Sequence, residues 1–292
     1  MPREDRIRSL SEINSLFKAV GPLDATIARL LDTRSRLDVL EIGFGYGRVL
    51  LELAWMFRHR NVTFHGVDVA RYVETREDLR KVATQFAIGP ESELNAFELP
   101  RIYWYDATSL HFDDESADFV YSAVTIRFIR RKAEFLEEVC RVLRPGGSAV
   151  LHMSESNWDY PYSLAADRRI LTPYVNRFVL RFGDELIPLP VYLKLFEDGH
   201  FRFQFTTSSR CILCVSKRMS GRLTLNLDFN EELSISGRKL PLKNRHGEVR
   251  GGFRSVYDVR PEYYRALFEK RLLSRDDLRT DVVLSSEAEP LL

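Results

Sequence analysis

The sequence has few cysteines, no long apolar run and almost no net charge. Its three cysteines, Cys140, Cys211 and Cys214, are too few for a disulfide scaffold. Cys140 falls within a helical repeat and reads as a small core residue. Cys211 and Cys214 form C-x-x-C, but no second pair completes a zinc site, and residues three apart on a strand point to opposite faces. No metal site is expected. No apolar stretch is long enough to span a bilayer, and nothing near the N-terminus has a signal-peptide apolar region. A soluble, cytoplasmic protein without membrane partners is expected. The 43 basic and 42 acidic residues leave a formal charge of +1, which gives no global case for nucleic acid or an anionic membrane. Internal repeats and low-complexity linkers are absent, and no G-K-[ST] marks a P-loop.

What is present is a chain of 292 residues, 45% of them apolar, which supports a substantial core. The organising stretch is Asp38–Leu53, DVLEIGFGYGRVLLEL. It reads as a short strand (Val39, Leu40, Ile42), a turn with glycines at 43, 45 and 47, and then a helix. Val49, Leu50, Leu53, Ala54 and Phe57 have the spacing that packs such a helix onto a sheet. Glycines permit positive φ and a close backbone approach, and the free N–H groups of the helix start point at whatever binds there. The dinucleotide fingerprint G-x-G-x-x-G does not match, because Arg48 stands where its third glycine would fall.

Alternating elements continue downstream. His65–Val69 reads as a second strand ending in Asp68, about twenty residues past the turn, where a carboxylate can accept ribose hydroxyls in a doubly wound fold. Thr75–Ala87 reads as a helix capped by Thr75. Glu91–Pro100 reads as an extended connection, Arg101–Trp104 as a third strand leading to Tyr105-Asp106-Ala107, and His111–Ser116 as a polar turn. A fourth strand, Ala117–Ser122, leads to the helix 135–144, which stops at Pro145-Gly146-Gly147 before a strand Ala149–Met153. Upstream, Ser9–Val20 and the segment from Pro22 to Leu31 read as helices.

The pattern E-x-G-x-G-x-G, the acids ending the second and third strands, and the helix closing on Pro-Gly-Gly, in this order over 38–153, resemble the class I S-adenosylmethionine-dependent methyltransferases. The resemblance implies an α/β fold with a doubly wound, mostly parallel sheet. It implies S-adenosylmethionine as cofactor, with Gly43, Phe44, Gly45 and Gly47 approaching its amino-acid portion. Glu41 would order the loop or engage the ammonium. Asp68, with Val69 beside it, would hold the ribose, and Asp106 with Ala107 the adenine amino group. Ser122 and Ala123 would border the methionine side. The resemblance leaves the acceptor open and gives no base, since Thr125-Ile126-Arg127 stands where many relatives carry a histidine. His152, near a strand end, and Tyr160 are the candidates for proton transfer, each against a plain packing role.

Beyond Met153 the pattern changes. Residues 154–189 are rich in aromatics and arginines and read as an insertion over the acceptor pocket, part of it a helix over Ala165–Phe182. Phe201–Thr206 and Cys211–Lys217 read as strands, the latter like the family's antiparallel closing strand. The methyltransferase domain is expected over 1–217. A mixed, β-rich appendage is expected over 218–292, with strands at Arg222–Phe229, Leu233–Leu242 and Glu248–Val259 and a terminal helix at Pro261–Ser274. Its basic residues, among them Lys243 and Arg245, suit a solvated ribbon face better than an RNA site. The expectation is methyl transfer to an O or N atom of a small or medium organic acceptor, with homodimer formation a second role for the appendage. The alternatives are an RNA or protein methyltransferase and a non-catalytic cofactor-binding regulatory or assembly protein.

Overall fold

The computed structural model describes residues 7–126, 129, 132–153, 179–182, 185–188, 199–206, 212–224, 238–243, 249–256, 258–259 and 283–284. Helices α1 (Leu10–Leu16) and α2 (Leu23–Leu31) precede β1 (Leu37–Ile42), α3 (Arg48–Met56) and β2 (Val62–Asp68). Then come α4 (Arg76–Gln85), α5 (Glu91–Leu94), β3 (Arg101–Trp104), β4 (Ala117–Ser122), α6 (Lys132–Val142) and β5 (Leu143–His152). The remaining elements are strands: β6 (Val179–Phe182), β7 (Glu185–Pro188), β8 (Phe201–Thr206), β9 (Ile212–Lys217), β10 (Arg238–Lys243), β11 (Val249–Val256), β12 (Asp258–Val259) and β13 (Val283–Leu284).

Local chemistry sets the helix starts. Ser9 and Glu12 close a capping box on α1, and Thr75 and Asp78 do the same on α4, so two orphan N–H groups at each start are satisfied by side chains. Gly21, with φ +105, and Pro22 separate α1 from α2. Phe17, Leu23 and Ile27 from this pair are fully buried in one core cluster with Leu37, Val39, Leu50 and Leu53. Each such side chain contributes about 1.5–3 kcal/mol by leaving water.

The chain divides into two compact units: Met1–His152 with Asp198–Gln204 and Ile212–Leu225, and Met153–Glu197 with Phe205–Cys211 and Asn226–Leu292. The sheet that carries the first unit has seven strands in the order β3-β2-β1-β4-β5-β9-β8. Strand β1 pairs in parallel with β2 (Leu40 opposite His65) and with β4 (Leu40 opposite Val120). Strands β2 and β3, and β4 and β5, are parallel too, whereas β9 runs antiparallel to β5. This is the doubly wound, mostly parallel sheet expected from the sequence, closing antiparallel strand included. The chain winds outward from β1 to β3, then returns to β4 on the other side of β1. The carboxyl ends of β1 and β4 therefore form the switch point where such sheets bind ligands. All six residues of β1 and of β4 are buried, as strands covered on both faces must be.

Several expectations from the sequence need correction. The connection at 91–100 is not wholly extended: Pro90 caps a single turn, α5, with Glu91 and Glu93 in its first turn. Proline at a helix start and acids in the first turn favour this. Strand β5 begins at Leu143, ahead of the Pro-Gly-Gly stop. Its pairing with β4 jumps between Ala117 and Phe119, so residues 144–147 form an irregularity within the strand. The helix placed over Ala165–Phe182 gives way at its end to a hairpin, β6–β7, with Phe182 opposite Glu185. The rest of that helix, and most of the inserted segment 154–189, lie outside the described residues. The strand expected over Arg222–Phe229 is irregular at 222–224, and its remainder lies outside the described residues.

In the second unit β10 and β11 form an antiparallel hairpin, with a register shift between Pro241 and Leu242. A proline cannot donate to the ladder, and the shift falls where Gly251 and Gly252 add length to the opposite strand. Strands β12 and β13 pair in parallel. The expected helix at Pro261–Ser274 lies outside the described residues. Among these residues, no helix is long and apolar enough to cross a membrane.

Candidate functional site

The turn after β1 is fixed by its neighbours. Gly43, Gly45 and Gly47 all have positive φ: +82, +57 and +77. The Gly43 N–H donates to the Val67 carbonyl of β2 at 2.7 Å, and the Gly47 N–H to the Phe44 carbonyl at 2.8 Å. The Gly45 N–H donates to Asp68 Oδ2 at 2.8 Å. Gly47 precedes α3, and no side chain caps that helix start. A Cβ added to Gly45 would meet nothing within 4 Å, so this backbone faces open space. The Phe44 side chain turns away into the core and leaves only its main chain for a ligand. A turn with an open backbone face, leading into a helix start that no side chain caps, is a place for a ligand to lie against backbone.

Two carboxylates flank the turn in different environments. Glu41 is buried on β1, and its Oε2 accepts a hydrogen bond from the Tyr121 hydroxyl of β4 at 2.9 Å. Burial pushes the Glu41 carboxyl up to about 8; the Tyr121 bond opposes this and the negative charge of Asp68 adds to it. The same burial, together with Glu41, raises the Tyr121 phenol well above its ordinary value. No ion pair reaches Glu41 among the described residues. Asp68, at the end of β2, accepts from the Gly45 N–H and, through Oδ1, from the Ala70 N–H at 2.8 Å. These bonds orient the carboxylate and leave lone pairs for further donors, such as ribose hydroxyls. Val69 beside it is 67% exposed, an apolar surface at the strand end.

The other expected residues fall into two groups. Ala123 follows β4 half-buried, near the glycine turn, and Ala107 is buried after β3. Asp106 is exposed, with Oδ1 accepting from the Thr108 N–H and hydroxyl, both at 2.9 Å. Ser122 is fully buried, and its hydroxyl donates to the Ile42 carbonyl at 2.9 Å. That bond ties β4 to the end of β1, so Ser122 offers a ligand its position in the fold and not its hydroxyl. His152 is buried at the end of β5, opposite Ile212, and β4 separates its strand from β1. Tyr160 lies outside the described residues. Cys140 is fully buried as expected, and burial pushes the Cys214 thiol up to about 11; Cys211 lies outside the described residues.

The structure adds residues that the sequence did not single out. Tyr46, between Gly45 and Gly47, stacks on Tyr72 with centroids 4.6 Å apart. Tyr72 belongs to a segment held at both ends: Asp68 takes the Ala70 N–H, and Trp104 Nε1 donates to the Val73 carbonyl at 2.9 Å. Tyr121 is the partner of Glu41. Arg48 packs over the Phe86 ring and bonds Glu52 at 2.8 Å and the Ile7 carbonyl at 3.3 Å, which docks the N-terminal segment on α3. A tyrosine in a glycine turn was a visible signal; strand alternation alone could not pair Tyr121 with Glu41.

The chain is similar to known methyltransferases. Residues 40–151 match the family model described as "Methyltransferase domain". The chain is similar to a demethylmenaquinone methyltransferase of a Mycobacterium species (strain JLS), with 30% identity over 52% of this chain and 63% of that protein. It is also similar to the sterol 4-C-methyltransferase strm-1 of Caenorhabditis elegans, with 24% identity over 51% of this chain and 40% of that protein. The chain thus spans 40–63% of the length of these curated relatives. Among solved structures, a SAM-dependent methyltransferase from Methanosarcina mazei aligns over 65% of this chain and 98% of its own, with a TM-score of 0.38 and 21% identity.

Proposed function

We propose that this chain, whose residues 40–151 match the family model described as "Methyltransferase domain", is a class I S-adenosylmethionine-dependent methyltransferase that binds S-adenosylmethionine at the glycine turn and transfers its methyl group to a small or medium organic acceptor. One observation carries the reading: the open backbone face of Gly45 lies at the switch point of the sheet, between Glu41 and Asp68. The residues fit the cofactor. Asp68 has spare acceptor capacity for two hydroxyls, Val69 offers an exposed apolar surface beside it, and Glu41 is a buried acid that no cation reaches among the described residues. A ligand that brings an ammonium supplies what Glu41 lacks.

When bound, S-adenosylmethionine supplies a sulfonium whose methyl group is electrophilic. The protein's contribution is alignment, since orienting two reactants is worth up to about 7–11 kcal/mol. Gly43, Gly45 and Gly47 permit close backbone approach, Asp68 fixes the nucleoside, and Asp106 with Ala107 borders the base. Ser122 and Ala123 shape the wall at the end of β4. His152 and Tyr160 remain the proposed proton-transfer candidates.

The acceptor atom is proposed as O or N. The sterol relative is named for a carbon, which adds carbon to the atoms to be tested. The deciding experiment is transfer of labelled methyl from S-adenosylmethionine into fractionated extract, with identification of the product. A labelled small molecule supports the proposal; label in RNA or protein overturns the acceptor class. Absence of binding by S-adenosylmethionine and S-adenosylhomocysteine in calorimetry overturns the cofactor.

A further inference from the structure

Val124 has a left-handed backbone, with φ +61. That region suits glycine and asparagine, and a β-branched residue there is strained. The strain is held in place from both sides. Just before it, the Ser122 hydroxyl fastens the end of β4 to the Ile42 carbonyl at 2.9 Å. Just after it, Ile126 is fully buried, and the Val124 side chain itself packs against the core cluster.

Between these anchors the chain folds Thr125 back onto the glycine turn. Its hydroxyl donates to the Ala123 carbonyl at 3.0 Å, with the Gly43 carbonyl at 3.4 Å. A Cβ built on Gly43 would lie 2.0 Å from Thr125 Oγ1 and 2.3 Å from its Cγ2. Thr125 therefore fills the space where a side chain of residue 43 would go. From β2, the Val67 carbonyl takes the Gly43 N–H at 2.7 Å. Gly43 is gripped between two strand ends, two residues before the open face of Gly45.

We propose that the strained turn Ala123–Thr125 is a positioning device of the cofactor site: Thr125 pins Gly43 in its left-handed conformation, and the backbone of Val124 is kept under strain to place Thr125 there. The inference rests on the reading of the glycine turn as the S-adenosylmethionine site. Strain that persists in a structure is over-determined by its surroundings and clusters at sites where a fixed geometry is needed. A turn that merely led the chain out of β4 would lose nothing in the binding loop when the contact of Thr125 with Gly43 is cut. A turn that holds Gly43 cannot lose that contact without lowering the population of the binding-competent loop.

The test uses the full chain with Val124→Gly, Thr125→Ala, the double variant and Thr125→Ser. Each is melted without ligand and titrated with S-adenosylhomocysteine by calorimetry. Thr125→Ala removes the pin, and its affinity falls about tenfold, as expected if the competent turn drops to about a tenth of the population. Thr125→Ser keeps the hydroxyl and recovers most of the affinity. Val124→Gly suits the left-handed conformation and relieves the strain in place, so its melting temperature stays near or above that of the parent and its affinity stays near the parent's. The double variant has the affinity of Thr125→Ala, because the loss belongs to the contact and not to the strain. An unchanged affinity in Thr125→Ala, or a tenfold loss in Val124→Gly, overturns the inference. If Thr125→Ala does not fold, the double variant, relieved of strain at 124, decides. A parent chain that binds no S-adenosylhomocysteine overturns the site reading and this inference together, whereas a binding parent with unaffected variants overturns the inference alone.

Discussion

Replacing Glu41 with glutamine tests whether a protonated acid is built into the core beneath the glycine turn. Burial raises the carboxyl from an ordinary 4.5 to about 8, with only the Tyr121 hydroxyl opposing. Between those values the native chain keeps a proton that the unfolded chain has released. Stability therefore falls as pH rises, by about 1.4 kcal/mol for each tenfold drop in proton concentration. The contribution is complete below 4.5 and lost as pH passes through 8, about 5 kcal/mol over the whole window. Glu41→Gln keeps an acceptor for Tyr121 and cannot ionise. Its buried amide needs partners of its own, which costs about 1–3 kcal/mol at every pH. The informative quantity is thus the slope and not the offset. Urea unfolding of both chains at pH 5, 6, 7 and 8 should give curves that converge or cross as pH rises, the parent falling more steeply. Parallel curves would refute the claim that Glu41 is held neutral by burial.

Other perturbations separate binding from folding. A cation next to Glu41 favours its ionised form, so S-adenosylhomocysteine should bind the parent more tightly at pH 8 than at pH 6, and calorimetry on Glu41→Gln should show a weaker trend. Gly45→Val places a β-branched residue at φ +57 on the open face; calorimetric affinity should fall at least tenfold, beyond the roughly 1–2 kcal/mol of strain that thermal unfolding reports. Asp68→Ala removes the proposed ribose anchor and the acceptor of the Gly45 N–H, so affinity should fall further than the melting temperature implies. Ser122→Ala should cost about 1–2 kcal/mol in urea unfolding by leaving the Ile42 carbonyl without its hydroxyl donor. Lys243→Glu with Arg245→Glu should leave small-molecule turnover intact; salt-sensitive RNA binding lost in this variant would instead favour the macromolecular acceptor.

The sheet was legible because its signals are local and periodic. Val39, Leu40 and Ile42 before a glycine turn, and Ala117–Ser122 as an apolar run, could be little else, and both became fully buried strands. The acid ending β2 and the one just after β3 were legible as positions, but their hydrogen bonds were not. That Asp68 would take the Gly45 N–H depends on strand register across 23 residues of sequence. The Ser122 hydroxyl, read as a site wall, turns to a carbonyl of β1 because the two strands lie side by side. Helix reading failed at 179–182, where a short apolar run before Gly-Asp suits a helix end and a hairpin equally. The strain at Val124 had no signal in composition at all, because nothing in a valine announces positive φ.

The two ends of the sheet treat buried acids in opposite ways, and the contrast bears on what binds. At the amino ends of β1 and β4, Asp118 is bonded by Arg34 and by Arg144 at 2.6 Å, and also takes the Asp38 N–H at 2.8 Å. Asp38 has Arg144 at 3.1 Å and His65 at 3.7 Å. Burial alone would raise the Asp38 carboxyl, but the bonds from His65 and Arg144 and the charge of Arg36 bring it down to about 2. Its contribution to stability is therefore present above the ordinary 3.8 and fades only as pH drops toward 2. At the carboxyl end of the same strand, three residues after Asp38, Glu41 has a hydroxyl in place of a guanidinium. A fold that can place arginines beside one pair of acids has left the other acid neutral and next to an open turn. Desolvating an unpaired carboxylate is costly, so the arrangement favours either a proton or a cationic ligand at Glu41. An acid in that state discriminates between ligands by charge: an ammonium gains from its ionisation, and an anionic group at the same place would oppose it. Competition at pH 8 between S-adenosylhomocysteine and its N-acetylated analogue, which lacks the ammonium, should therefore favour the parent ligand in the native chain. In Glu41→Gln that preference should shrink, and an equal preference in both chains would place the ammonium elsewhere.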